Sequence, residues 1–455
     1  MKNLLPVIVI TCSQSLGIHL AFGQGLAFES RTIAVGNGPS SVIAADLNND
    51  GHVELICTDS KDNALTVLTN DGSGGFVSNV TYSVTGTNPA CVLVADLTAS
   101  GKADLVVAIF NNNNGNGQLE VLTNDGVGGF NSNATYDVGT GPSCVVSADV
   151  NGDGQPDLIA ANTSPYPNGG LTVMTNDGGV FSLDATLRIG ATISDDDSHW
   201  VAVADINGDG KVDLISANML ANTLTVFTNN GTGGFGSNAT YNVGFDPQCV
   251  VVTDINGDGK PDLISANYGR GSAGGGTLTV LTNDGNSILV SNATYNVGPG
   301  AFFVAAVDIN GHGKPDLVCA NSSTNTLTVL TNDGSGGFDF CTNLTVGYGP
   351  RSIAVTNANG GGRPILISAN FNDNTLTVLT QKPPPPELAI ASAGSEAVSV
   401  SWSLSATNFV LQTNADLTTT NWGPAGYAIS TNGSMESVTV NPTPTGNLYF
   451  RLMSQ

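Results

Sequence analysis

The sequence predicts an all-β fold: a seven-bladed β-propeller whose N-terminal strand closes the last blade, followed by a small C-terminal β-sandwich-like domain. Three observations carry this expectation. First, an Asp-led segment recurs at Asp46, Asp96, Asp149, Asp205, Asp254 and Asp308, with a decayed copy at Asn357, at spacings of 50, 53, 56, 49, 54 and 49 residues. That period belongs to propeller blades or repeat arrays. Second, the 455 residues include 57 glycines and only 11% are charged, which suits short strands joined by tight turns. No long segment carries a helical apolar period. Third, the two ends are complementary: the last copy lacks a strand that the first residues supply.

Each copy reads as four strands. In the copy led by Asp205, strand A is 201–204, strand B 214–217, strand C 224–228 and strand D 239–243. Asn229-Asn230-Gly231, between C and D, is a hairpin signal. In the last copy, residues 352–355, 365–368 and 376–380 supply A, B and C, after which Lys382 and four prolines end the pattern. Residues 27–36 align with residues 129–138, which hold a strand D, and both continue into Gly-Pro-Ser. The first strand is therefore expected to complete the last blade, a closure that removes exposed strand edges.

Residues 1–23 read as an export signal, with Lys2, an apolar run over 4–10 and small residues towards Gly23. The expected organisation is this signal, a propeller over 24–381, a Pro-rich linker over 382–386 and the second domain over 387–455. The expected location is the medium or the cell surface. No other stretch approaches the ~20 apolar residues of a membrane span. The net charge of −24, with 13 Lys and Arg, argues against nucleic acid and favours cations as partners. The expected state is a monomer. Cys91, Cys144 and Cys249 share one repeat position, which need not bring them face to face; they read as buried free thiols.

The loop between A and B has the pattern Asp-x-Asn-x-Asp-Gly-x-x-Asp. Positions 1, 3 and 5 offer side-chain oxygens, Gly at 6 allows a sharp turn, position 7 offers its carbonyl and the acid at 9 closes the shell, which is calcium spacing. Four loops are complete: Asp46, Asn48, Asp50, His52 and Glu54; Asp149, Asn151, Asp153, Gln155 and Asp157; Asp205, Asn207, Asp209, Lys211 and Asp213; Asp254, Asn256, Asp258, Lys260 and Asp262. Two weaker loops begin at Asp96 and Asp308, so four structural Ca²⁺ ions are expected and six at most. The competing reading is a set of metal-free Asx turns.

With these loops, the Gly-Gly-Phe before strand D (Phe76, Phe130, Phe235, Phe338) and the Gly-Pro before strand A (Pro142, Pro299, Pro350), residues 26–381 resemble FG-GAP/VCBS repeats. The resemblance implies a seven-bladed propeller with calcium in the A–B loops. The glycines precede the Phe, and the later motif is Gly-Pro rather than Gly-Ala-Pro. The chain is thus nearer the bacterial VCBS-type branch than the integrin α-subunit, and integrin-like partners do not carry over.

The A–B loops and C–D turns should share one face, the B–C and D–A connections the other. The second face departs from its own repeat. Its B–C connections lengthen in the second, third and fifth copies, and residues 194–200 (Ser-Asp-Asp-Asp-Ser-His-Trp) replace Gly-Pro-Ser before the fourth. This brings Phe110, Tyr166, Asp196, His199, Trp200, Tyr268 and Arg270 to one rim, a mixture suited to a protein or glycan ligand. Loop drift, with Trp200 plugging the channel, is the plainer alternative. The functional expectation is a binding, adhesion or display protein. A carbohydrate-active enzyme, lyase or hydrolase, using Asp195–Asp197 and His199, is one alternative; a structural envelope component is another. In the tail, Trp402 and Trp422 are expected in the core.

Overall fold

The structure, a computed structural model, describes residues 8–10, 26–72, 75–111, 117–163, 170–189, 197–269, 275–285, 288–357, 363–382, 389–394, 397–403, 409–414, 423–432, 435–440 and 448–454. Among them there is no helix. The chain divides into two compact units, residues 28–381 and residues 1–27 with 382–455.

Residues 28–381 form repeated four-stranded antiparallel sheets, seven among the described residues. The fourth is typical: strands A to D are Ser198–Ala204, Asp213–Asn218, Thr223–Asn229 and Phe235–Asn242. A and D are longer than their apolar runs suggested. Backbone pairing continues through Gly236 and Ser237 opposite Thr228 and Phe227, so the ladder overrides the poor strand propensity of Gly and Ser. Strand B is buried at every position in all the sheets because each sheet is covered on both faces. Strand D opens on a buried residue, is exposed over the next three and then alternates between half-buried and exposed residues.

The last sheet takes its outer strand from the other end of the chain. Phe28–Ala34 pairs antiparallel with Thr375–Gln381, from Phe28 opposite Gln381 to Ala34 opposite Thr375. The A strands pack side by side through the repeat, and the last, Pro350–Thr356, packs against the first, Pro39–Ala45. This is a β-propeller with the A strands innermost.

Residues around the B-strand ends form a recurring buried network. Asn218 Nδ2 donates to Thr223 Oγ1 and Thr225 Oγ1, both at 2.9 Å, while Ser216 donates to Asn218 Oδ1 at 2.7 Å. In the first sheet Asp59 stands at the Asn218 position and accepts from Thr66 Oγ1 at 2.6 Å. Burial raises its carboxyl to about 6.

In the other unit, two four-stranded sheets share one apolar cluster of Val400, Trp402, Leu411, Val438, Val440 and Phe450. Trp402 is buried, with Nε1 donating to Glu436 Oε2 at 2.7 Å; Trp422 lies outside the described residues. Ile8–Ile10, inside the stretch read as an export signal, is described as a strand paired with Leu448–Phe450. Three consecutive β-branched residues suit such a pairing. No helix is long and apolar enough to cross a membrane among the described residues.

Candidate functional site

The site begins with a turn repeated around one face. In six of the seven copies the residue before strand A has positive φ: Gly38 (69°), Asn88 (57°), Gly141 (66°), Asp246 (62°), Gly300 (78°) and Gly349 (69°), a conformation that favours Gly and tolerates Asn or Asp; Asp197 takes this place in the fourth copy without it. The carbonyl at this place accepts the N–H of the residue just after strand B, the fourth copy included: Phe110 to Asn88, Met219 to Asp197, Tyr268 to Asp246 and Phe371 to Gly349, at 2.9–3.2 Å. The B–C and D–A connections are thus tied together, and every copy aims two side chains at the mouth of the propeller. One follows strand B, the other is the second residue of strand A.

These side chains line a cavity of about 380 Å³ that includes Phe110, His199, Trp200, Phe302, Arg351 and Phe371. Beside it lies a smaller space of about 330 Å³ lined by Gln248, Tyr268, Phe302, Ser323, Arg351 and Asn372. The structure therefore brings Phe110, His199, Trp200 and Tyr268 to one funnel, as the loop pattern suggested. Tyr166, Asp196 and Arg270 lie outside the described residues. Sequence reasoning missed Arg351, Phe302 and Phe371, which sit in copies with loops of ordinary length. Their signal was positional: Phe371 is the repeat equivalent of Phe110 and Tyr268, while Phe302 and Arg351 are equivalents of His199.

Arg351 lies over two aromatic rings, its guanidinium carbon 3.5 Å from the centroid of Phe371 and 5.3 Å from that of Phe302. Lys61 Nζ lies over Phe371 at 4.4 Å. Burial lowers the Arg351 pKa, yet an arginine stays charged. His199 donates from Nδ1 to the Gln248 carbonyl at 2.9 Å and meets the Phe302 ring edge-on at 5.8 Å. Burial lowers its pKa, so it is neutral near pH 7. Its Nδ1 partner is a carbonyl rather than a carboxylate, so His199 lacks the carboxylate-oriented geometry of a general base. Asp197 is pushed up to about 7 by burial and by Asp246, while Asp195 falls outside the described residues with Asp196.

Deeper, Trp200 and Phe303 meet edge to face at 5.4 Å. Both also line a further cavity of about 320 Å³ among residues of the A strands. Trp200 thus lines both cavities. Cys91 and Cys144 line that same cavity, and the Cys91 thiol donates to the Val92 carbonyl at 3.9 Å. The repeat position does bring those two to one lining, because neighbouring A strands pack side by side. All six cysteines among the described residues are unbridged.

Inner-strand side chains also stitch one blade to the next. Cys144 Sγ donates to the Val201 carbonyl at 3.8 Å and Ser143 Oγ to the His199 carbonyl at 2.7 Å. These bonds satisfy edge groups that no further strand covers.

The A–B loops lie with the C–D turns on the opposite face. Lys260 Nζ donates to the Asp284 carbonyl at 2.6 Å, and Gln155 Oε1 accepts from Gly178 N at 2.7 Å. The position-7 side chains thus brace the C–D turns. Each loop is closed by its own Asx bonds: Asp205 accepts the N–H groups of Gly208, Asp209 and Gly210 at 2.7–3.1 Å, and Asp209 that of Lys211 at 3.0 Å. The position-9 acids turn inward. Asp213 accepts Ile206 N at 3.0 Å and Asn229 N at 2.9 Å, with the same pairing at Asp157 and Asp262.

Among the described residues no three acids stand gathered as a metal cluster. The donor chemistry nevertheless fits a hard cation. Burial, then the charges of the acids at positions 1 and 5, raise the pKa of Glu54, Asp157, Asp213 and Asp262. Glu54 Oε1 is buried without a hydrogen-bond partner, and each occupied carboxylate oxygen keeps a second lone pair. A bound Ca²⁺ would be held by the oxygens of positions 1, 3, 5, 7 and 9, and would offset this repulsion.

Known proteins give the fold a relative and the chain a family. The structure is similar to BBS1N in complex with ARL6DN, at a TM-score of 0.56 and 11% identity over 79% of this chain and 98% of that one. It is similar to virginiamycin B lyase from Staphylococcus aureus, at a TM-score of 0.52 and 13% identity over 78% of this chain and 99% of that one. A protein from Lactobacillus plantarum aligns at a TM-score of 0.50 and 14% identity over 94% of this chain and all of that one. Identities this low concern the fold alone. No curated protein matches the sequence. FG-GAP-like repeats match at residues 46–107, 96–160, 149–216, 205–265, 254–319 and 308–368, so the chain belongs to the FG-GAP-like repeat family.

Proposed function

We propose that this protein is an exported ligand-binding or display protein: a closed seven-bladed propeller, stiffened by calcium in its A–B loops, that binds through the funnel on the opposite face. The observation that carries this reading is the convergence of Phe110, His199, Trp200, Phe302, Arg351 and Phe371 on one cavity of about 380 Å³. Apolar rings with a few fixed polar groups are the usual lining of a recognition site. The Ca²⁺ ions tie strand A to strand B and take no part in ligand contact, because their loops lie on the other face. Export follows the apolar N-terminus and suits a chain whose loops need millimolar calcium.

Binding to immobilised glycans and peptides tests the reading, comparing the full chain with a Phe110→Ala, Phe371→Ala double variant. Retained probes that the double variant releases support the funnel. Equal retention by both proteins moves the ligand elsewhere and refutes it.

A further inference from the structure

We infer that the polar annex of the funnel, centred on Arg351, binds the carboxylate of an acidic sugar. This deepens the reading above and rests on it. Arg351 is half-buried against Phe302 and Phe371, and among the described residues its guanidinium makes no hydrogen bond or ion pair. The two rings lie against the guanidinium, and its N–H groups, which have no hydrogen-bond partner among the described residues, are the groups that pair with a carboxylate. The chain has only 13 Lys and Arg, and Arg351 is the one that lines both spaces of the funnel among the described residues. A cation kept in a cavity without an acid is costly unless a ligand supplies the anion.

The rest of the annex selects the kind of anion. It measures about 330 Å³, room for one or two sugar rings, and is lined by the side chains of Ser323, Asn372 and Gln248 beside the rings of Tyr268 and Phe302. Hydroxyl and amide groups match sugar hydroxyls, and an aromatic face matches the apolar face of a pyranose. The two positive-φ glycines shape the space: a Cβ on Gly300 would lie 2.5 Å from Ser323 Oγ, and one on Gly349 2.5 Å from Asn372 Nδ2. A peptide C-terminus would present a carboxylate too, but would leave most of these polar groups without partners.

Isothermal titration of the full chain with trigalacturonate, its methyl ester, neutral maltotriose and a hexapeptide with a free C-terminus tests the inference. Wild type should bind trigalacturonate, and the methyl ester should bind about tenfold or more weakly, the loss of one charge-assisted bidentate contact. Arg351→Met should show the same loss towards trigalacturonate, with Arg351→Lys between the two. Equal binding of trigalacturonate and its ester by wild type overturns the inference, and does so even if the Met variant does not fold. Preferred binding of maltotriose or of the hexapeptide, lost in the Phe110→Ala, Phe371→Ala variant, overturns the acidic sugar and leaves the funnel standing. No binding of any of the four probes overturns the inference, whereas the funnel itself is judged by the glycan and peptide display.

Discussion

Ser352 and Val42 are 310 residues apart in sequence, yet the Val42 N–H donates to Ser352 Oγ at 3.1 Å, joining the last inner strand to the first. Both residues are buried, so the bond faces little competition from water. Gly38 N donates to Asn374 Oδ1 at 2.9 Å across the same seam. Ser352→Ala should cost about 1 kcal/mol by leaving a buried N–H without its partner. Urea unfolding checks this: the midpoint should fall with an unchanged slope. An unshifted midpoint would mean that water replaces the hydroxyl.

The seam also depends on the borrowed strand. Phe28–Ala34 covers the edge of Thr375–Gln381 along its whole length. A chain lacking residues 24–36 should expose that edge and aggregate. A synthetic peptide of residues 26–36 should restore solubility and the melting temperature when added in excess. A truncated chain that stays soluble and melts like the full one would show that the strand is dispensable.

Calcium removal should soften the propeller. At a Kd of ~0.1 mM and ~2 mM Ca²⁺, each complete loop gains roughly 1.8 kcal/mol by mass action, so four contribute about 7 kcal/mol. Thermal unfolding in millimolar Ca²⁺ and then in excess EGTA should show a large drop in Tm, reversed by added Ca²⁺. Asp209→Ala should shrink that drop by about a quarter. An unchanged Tm would identify the loops as metal-free Asx turns.

Asp59 predicts a pH effect. Its folded carboxyl is raised from 3.8 to about 6 by burial, with Thr66 and Cys57 opposing the rise through hydrogen bonds. A raised carboxyl holds its proton more tightly when folded. Its contribution is therefore most favourable at low pH and is lost as pH rises through the window from about 4 to 6. Above that window the ionised form costs up to about 3 kcal/mol, less whatever its hydrogen bonds return. Asp59→Asn restores the residue found at position 218 in the fourth blade. It should raise Tm at pH 7.5 and have little effect at pH 4, both measured at fixed calcium. A gain that does not vary with pH would assign the effect to packing.

Much of the fold was legible because its causes are local. Asn-Asp-Gly turns, apolar runs and the Asp-led loop recur at fixed offsets, so strand order and the role of Phe28–Ala34 could be read directly. The weak points were strand ends. Phe235 and Ser198 lie beyond the apolar runs and are held by the neighbouring ladder rather than by their own propensity. The site was half legible. Phe110, His199, Trp200 and Tyr268 stood out because their loops break the repeat. Arg351, Phe302 and Phe371 did not, because nothing in their own copies is irregular.

By itself, then, the sequence determined the repeat, the strands, the turns that need positive φ and the oxygen-rich loops, since these follow from neighbours within about ten residues. Only the tertiary structure decided which side chains meet. Packing the A strands side by side gathers residues from copies about fifty apart: Arg351 from the last blade, His199 from the fourth, Phe110 from the second. That convergence depends on strand register, the bulge near the start of each A strand and the stacking of one sheet on the next, none of which a single copy encodes.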